Sequence, residues 1–301
     1  MKILLAMDTS SASQVALEEV LARSWPADSS FDVVSVVEPS HMWTTSEVAQ
    51  EAAGQAEQVV EAATGKLGAK GDPVTCATFS GDPKTVILDR ARSTGADLLI
   101  VGSHGVSAIA RFLLGNVAAA VLRYAPCSVE VVRAGARNPG RDYMKVLLAT
   151  DGSACSERAA RSIVERPWPS GTEIRVLSAV ELVLPATRAL LPPFIDSAFI
   201  ESAQGEAMKR SQDAIAQARQ ILARQVLSSA SELNVSESVS VLLKPPKEII
   251  LDEAGEWGAD LIVLGSHGRH GVDRFLLGSV SEAVAMHAGC SVELIREPAR
   301  T

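Results

Sequence analysis

In the second half of the chain a run of small residues follows the apolar stretch LIVL. These are Gly265, Gly268, Gly278 and Ser279, set in GSHGRHGVDRFLLGSVSEAV. The spacing is Gly-x-x-Gly, nine residues, then Gly-Ser. Glycine lacks a Cβ and reaches φ above zero, so backbone N–H groups in such a turn can approach an anion. Ser279 is suited to cap the helix that follows and to offer its hydroxyl to a phosphate. The start of that helix adds partial positive charge. The chemistry implied is main-chain binding of phosphate. The pattern is not a Walker loop, because no Gly-Lys-Ser/Thr follows. It is not the dinucleotide Gly-x-Gly-x-x-Gly either.

An acidic residue joins this set. Asp151 ends the run KVLLATD, and Asp8 ends KILLAMD. A carboxylate does not hold phosphate directly. It suits a base or ribose donor, or a metal that bridges to phosphate.

The elements that must position these residues are written twice. MKILLAMDTS returns as MKVLLATDGS, ADLLIVGSHG as ADLIVLGSHG, RFLLGNVAAAV as RFLLGSVSEAV, and APCSVEVVR as AGCSVELIR, in the same order. The chain is a tandem duplication. The turn-forming stretch ARNPGRD separates copy one, residues 1–136, from copy two, residues 143–301. Within each copy, continuous apolar runs alternate with helical patterns, which predicts β-α-β-α-β-α-β-α-β and a parallel sheet covered on both faces. The expected fold is α/β: two open, Rossmann-like parallel-sheet domains of strand order 3-2-1-4-5. Strands one and four are then neighbours at the switch point, where ligands bind beyond the carboxyl ends of the strands. Copy two carries extra residues around LVLPATRALLPPFIDSAFI, 182–200. Its prolines bar one long helix, and it lids the crevice, buries against another domain or chain, or packs on its own domain.

Composition narrows the partners. Net charge is −8 over 301 residues, which argues against a nucleic-acid partner. Cys76, Cys127, Cys155 and Cys290 form no CxxC pair, and free, mostly buried thiols are expected. No stretch has the length of a membrane span, and the N-terminus lacks signal-peptide features. A soluble, cytoplasmic protein is expected. His104 and His267 sit inside the Gly-Ser-His-Gly turns, where hydrogen bonding within the turn is the expected role. Arg269 and His270 divide between phosphate contact and a solvated loop, and Arg111 and Arg274 between loop anchoring or a salt bridge and phosphate contact.

On KVLLATDGS, GSHGRHGVDRFLLGSVSEAV and CSVELIR, each with a counterpart in copy one, the chain resembles the universal stress protein family in its tandem, ATP-binding form. The resemblance covers nearly the whole chain. It implies ATP as ligand, with or without Mg, in a stress-response switch. By position, Asp151 meets the adenosine end, and Ala179, after the second strand of its copy, lies along adenine through its backbone. Gly265, Gly268, Gly278 and Ser279 hold ribose and phosphates, with a further N–H from Val280. The copy-one counterparts are Asp8, Val36, Gly102, Gly105, Gly115, Asn116 and Val117. Copy one departs from the pattern at Asn116 and at Thr9, which stands in place of glycine. The resemblance also implies that the two domains pack as a pseudo-dimer, that whole chains homodimerise, and that there is a protein partner. No residue is identified as catalytic and no metal site of the protein's own is expected. A slow ATPase or phosphotransfer activity through Asp8 or Asp151 with a divalent metal is one alternative. A scaffold with structural nucleotide is the other.

Overall fold

A computed structural model describes residues 1–38, 46–105, 114–138, 140–181, 197–226, 234–242, 244–268 and 277–297. Val106, Arg111, Arg269, His270, Arg274 and residues 182–196 lie outside this set. Copy one runs β1 (Lys2–Met7), α1 (Ser11–Ala22), β2 (Ser30–Val37), α2 (Ser46–Gly68), β3 (Val74–Ser80), α3 (Pro83–Thr94), β4 (Leu98–Gly102), α4 (Asn116–Tyr124) and β5 (Ser128–Val132). Copy two repeats this as β6 (Lys145–Ala149), α5 (Ala154–Val164), β7 (Glu173–Glu181), α6 (Ser197–Val226), β8 (Asn234–Leu242), α7 (Pro246–Trp257), β9 (Leu261–Gly265), α8 (Ser279–His287) and β10 (Ser291–Ile295).

The inner strands β1, β4, β5, β6, β9 and β10 are buried along nearly their whole length because helices cover both sheet faces, whereas the outer strand β3 is partly exposed. Local chemistry sets the helix ends. Ser10 and Ser153 cap α1 and α5, accepting from the N–H groups of Ser13 and Ser156. Proline opens α3 and α7, and left-handed glycines Gly95 and Gly258 close them.

Each copy has the expected strand order, and the two sheets join edge to edge. The result is one sheet ordered β3-β2-β1-β4-β5-β10-β9-β6-β7-β8. All pairings are parallel except β5 with β10, which run antiparallel about the pseudo-twofold. One hydrophobic core crosses the joint on the face covered by α3, α4, α7 and α8. The opposite face carries a separate core in each copy, under α1 and α2 in one and under α5 and α6 in the other.

The joint itself is polar. Glu130 faces Glu293 directly across the β5–β10 ladder, and both are 0% exposed. Arg23 donates to both Glu130 carboxylate oxygens, at 2.7 and 2.6 Å. Arg166 grips Glu293 in the same way, one bond being 2.8 Å long. Burial pushes the Glu130 carboxyl up from its ordinary value against the pull of Arg23, and the facing Glu293 adds to the upward push. Each copy also closes a helix of the other. Arg133, just past β5, donates to the carbonyls of Ala285 and Met286 at the end of α8. Arg296, just past β10, donates to Leu122, Arg123 and Ala125 at the end of α4. A guanidinium suits the negative end of a helix.

Candidate functional site

Register brings the predicted residues together. β6 pairs with β9 through Val146↔Leu261 to Ala149↔Leu264, so their carboxyl ends share one edge of the sheet. Asp151 follows β6 and Gly265 ends β9. The carboxylate lies against the turn: a Cβ built on Gly268 would stand 2.8 Å from Asp151 Oδ2. In copy one β1 pairs with β4, and a Cβ on Gly105 would stand 3.0 Å from Asp8 Oδ2.

The glycines are required for a different reason from the one expected. Gly102, Gly105, Gly115, Gly265, Gly268 and Gly278 are absent from the positive-φ positions. They answer to close approach instead. A Cβ on Gly265 would lie 2.8 Å from the Cys155 carbonyl carbon and 3.0 Å from the Ser156 nitrogen. One on Gly102 would lie 2.7 Å from the Ala12 carbonyl carbon. These first glycines let α5 and α1 start hard against the strand ends. Gly278 would meet Ser266 O at 3.2 Å, and Gly115 would meet the His104 Cα at 3.3 Å. The N–H of Gly278 donates to Ser266 O at 2.8 Å, and that of Gly115 to Ser103 O at 2.8 Å. Each bond draws the two ends of the intervening segment together.

The expected serine cap is also absent. Gly278 itself occupies the cap position of α8, with φ −67° and ψ 144°, and no side chain caps the helix. The Gly278 carbonyl accepts from Glu282 N at 2.9 Å. Ser279 is therefore the first helical residue. Gly115 and Asn116 stand in the same relation to α4. The amides of Ser279 to Ser281 have no intrahelical acceptor, and a glycine cap supplies no side-chain oxygen to them. Such an end binds anions. Ser281 Oγ donates to Gly265 O at 2.7 Å and ties α8 to the end of β9. The histidines bond within their turns, as expected: Ser266 Oγ and His267 Nδ1 are 2.8 Å apart, and Ser103 Oγ and His104 Nδ1 are 2.9 Å apart.

These groups line a cavity of about 610 Å³ in copy two. Asp151, Ala179, Gly265, Gly268, Gly278, Ser279 and Val280 all contribute to its wall. That volume suits a small-molecule ligand. Ala179 was expected beyond the second strand of its copy but lies inside β7, which continues to Glu181. Val36 lies inside β2. Thr150, Ser156, Ser178, Arg210 and Ser211 also line the cavity and were not singled out from sequence. The signal for Arg210 and Ser211 was weak, because they sit on the long helix α6 far from any motif. Among the described residues, no group of three or more His, Cys, Asp or Glu is arranged to hold a metal ion.

Comparison with known proteins bears on this geometry. The model of the universal stress protein family matches residues 1–133 and again 142–296. The chain belongs to the universal stress protein family. A universal stress protein of Mycolicibacterium smegmatis is 27% identical over 98% of this chain and 96% of its own length. One from Mycobacterium tuberculosis is 31% identical over 68% of this chain and 63% of its own. The crystal structure of a universal stress protein from Archaeoglobus fulgidus superposes with a TM-score of 0.63 at 20% identity, covering 99% of this chain and 97% of that one. At that identity the match speaks for the fold. In this universal stress protein both family repeats are thus built into one continuous sheet. No helix of the described residues is long and apolar enough to cross a membrane.

Proposed function

We propose that the protein binds ATP in the crevice of copy two, with the equivalent crevice of copy one as a second site, and that occupancy is the signal it carries. The observation that carries this reading is the cavity wall. It combines the uncapped α8 start, the Gly-x-x-Gly turn and the Asp151 carboxylate, drawn from sequence positions far apart. The chain's own residues have plain tasks. The first-turn amides of α8 and the Ser279 hydroxyl take the phosphates. The Asp151 carboxylate accepts from the nucleoside end. Leu177, Ala179, Ile250 and Leu264 give the crevice an apolar side against a base. A Mg ion would arrive on the triphosphate, where it offsets charge.

Two measurements test this. Freshly purified protein is denatured and the released small molecules are identified by mass spectrometry; ATP or ADP in near-stoichiometric amount is expected. Calorimetry of nucleotide-free protein with ATP, with and without Mg, is expected to give saturable binding. Absence of both carry-over and binding would sink the proposal.

A further inference from the structure

One arm of the cavity, on the α5 and α6 face of the sheet, serves neither the phosphates nor the apolar side. In β7, Val176 packs in the core under α5 and α6 while Leu177 packs in the opposite core. Side chains alternate along a strand, so Ser178 shares the face of Val176. By the same rule Thr150, beyond Leu148 and Ala149, falls on that face. Ser156 on α5 and Ser211 on α6 complete a wall of hydroxyls. Thr150 Oγ1 and Ser156 Oγ are bonded to each other at 3.1 Å. Ser178 and Ser211 are 1% and 0% exposed, and neither hydroxyl has a hydrogen-bond partner among the described residues. A buried hydroxyl without a partner is costly, and a cavity is where its partner can enter.

Copy one does not repeat this wall. Position 150 corresponds to Met7, which packs in an apolar core with Leu5. Along α2 the buried residues Ala56, Val60, Ala63 and Leu67 match the spacing of Ser211, Ile215, Ala218 and Leu222 on α6. Ser211 therefore replaces Ala56. Ser35 and Ser13 are kept.

We infer that Ser178 and Ser211 form a polar subsite of the copy-two pocket that hydrogen-bonds an uncharged donor–acceptor group on the nucleoside end of the ligand, and that this subsite gives copy two a ligand selectivity that copy one lacks. A neutral group fits because the charged lining residues Asp151 and Arg210 belong to other parts of the wall: one lies against Gly268, the other is an exposed residue of α6. The inference rests on the nucleotide reading above. The group is either a ribose hydroxyl or the amino edge of the base, and the test separates them.

Full-length protein carrying Gly115→Val, which disables the copy-one crevice, is titrated by calorimetry with ATP, 2′-deoxy-ATP and inosine triphosphate. ATP is expected to bind more tightly than one of the two analogues. Weaker 2′-deoxy-ATP assigns the ribose, and weaker inosine triphosphate assigns the base. Adding Ser178→Ala with Ser211→Ala is expected to weaken ATP by about five- to thirtyfold and to bring ATP level with that analogue, the loss of buried hydrogen bonds to the ligand. Should the double variant not fold, as judged by thermal melting, each single substitution is titrated instead. Unchanged ATP affinity in the variants, or equal affinity of the parent for all three nucleotides, overturns the subsite and leaves the hydroxyls to bound water. A parent that binds none of the three removes the nucleotide reading and the subsite with it.

Discussion

Beyond β1, Asp8 is followed by Thr9, and the backbone there stays out of the positive-φ region. Beyond β6, Asp151 is followed by Gly152 at φ 72°. The carboxylate rests against the second glycine of its turn in both copies all the same. What the copies share is steric: glycines into which a Cβ would drive backbone or carboxylate, and a glycine-capped helix. What they do not share is the wall, where Thr150 and Ser211 stand against Met7 and Ala56. Packing has held the frame constant while the residues lining the crevice diverged.

The sharpest test of a shared frame is the joint. Arg166→Ala strands the Glu293 carboxylate in a fully buried place, and Arg23→Ala does the same to Glu130. Breaking such a pair costs about 3–5 kcal/mol. Both variants are expected to lose stability in denaturant titration by similar amounts. A large loss in one and none in the other would break the symmetry claimed for the joint.

Next in size are the glycines. Gly265→Ala and Gly102→Ala push a methyl group into the backbone of α5 and α1. Each is expected to cost about 1–3 kcal/mol of stability, as overpacking does. Among the described residues, Gly268→Ala meets only the Asp151 side chain, which can swing away. It is expected to spare stability and weaken ATP binding. Equal melting losses for Gly265→Ala and Gly268→Ala would show that the two positions do one job.

Gly278→Val acts at the phosphate end. It is expected to lower ATP affinity of copy two by about tenfold or more, since removing even one good hydrogen bond to a charged group is worth about 1.5–3 kcal/mol. Gly115→Val is expected to act on copy one alone. Calorimetry of each variant, read as loss of one class of site, checks this. Undiminished affinity in both would count against the main-chain cradle.

The fold was legible because its signals are local and repeated. Runs such as LLIV and LIVL need burial on both faces, and the duplicated order left few topologies. Convergence of Asp151 with Gly268 followed from the switch point. The reason for the glycines was not legible, because it lies in the contact of Gly265 with Cys155, a residue distant in sequence. The missing serine cap was a one-residue matter: the pattern Gly-Ser does not say which residue caps. Glu130 and Glu293 offered a clue, a charge inside an apolar strand in both copies. Nothing in sequence joined them to each other across a ladder, or to Arg23 and Arg166.

The smallest expected effect concerns the thiols. Cys127 and Cys290 hold equivalent places before β5 and β10, and burial pushes both up to about 12. A raised thiol pKa keeps the protonated, unreactive form dominant until the pH approaches that value. Cys155 is also buried, whereas Cys76 on the outer strand β3 is exposed. At pH 8 a thiol reagent added to native protein is expected to modify Cys76 rapidly and leave the Cys127 and Cys290 pair untouched, with peptide mass mapping as the readout. The two buried thiols should behave alike, as products of one duplicated core. Modification of one of the pair and not the other, at a pH well below 12, would mean that the cores beneath the two copies have diverged as their crevice walls have.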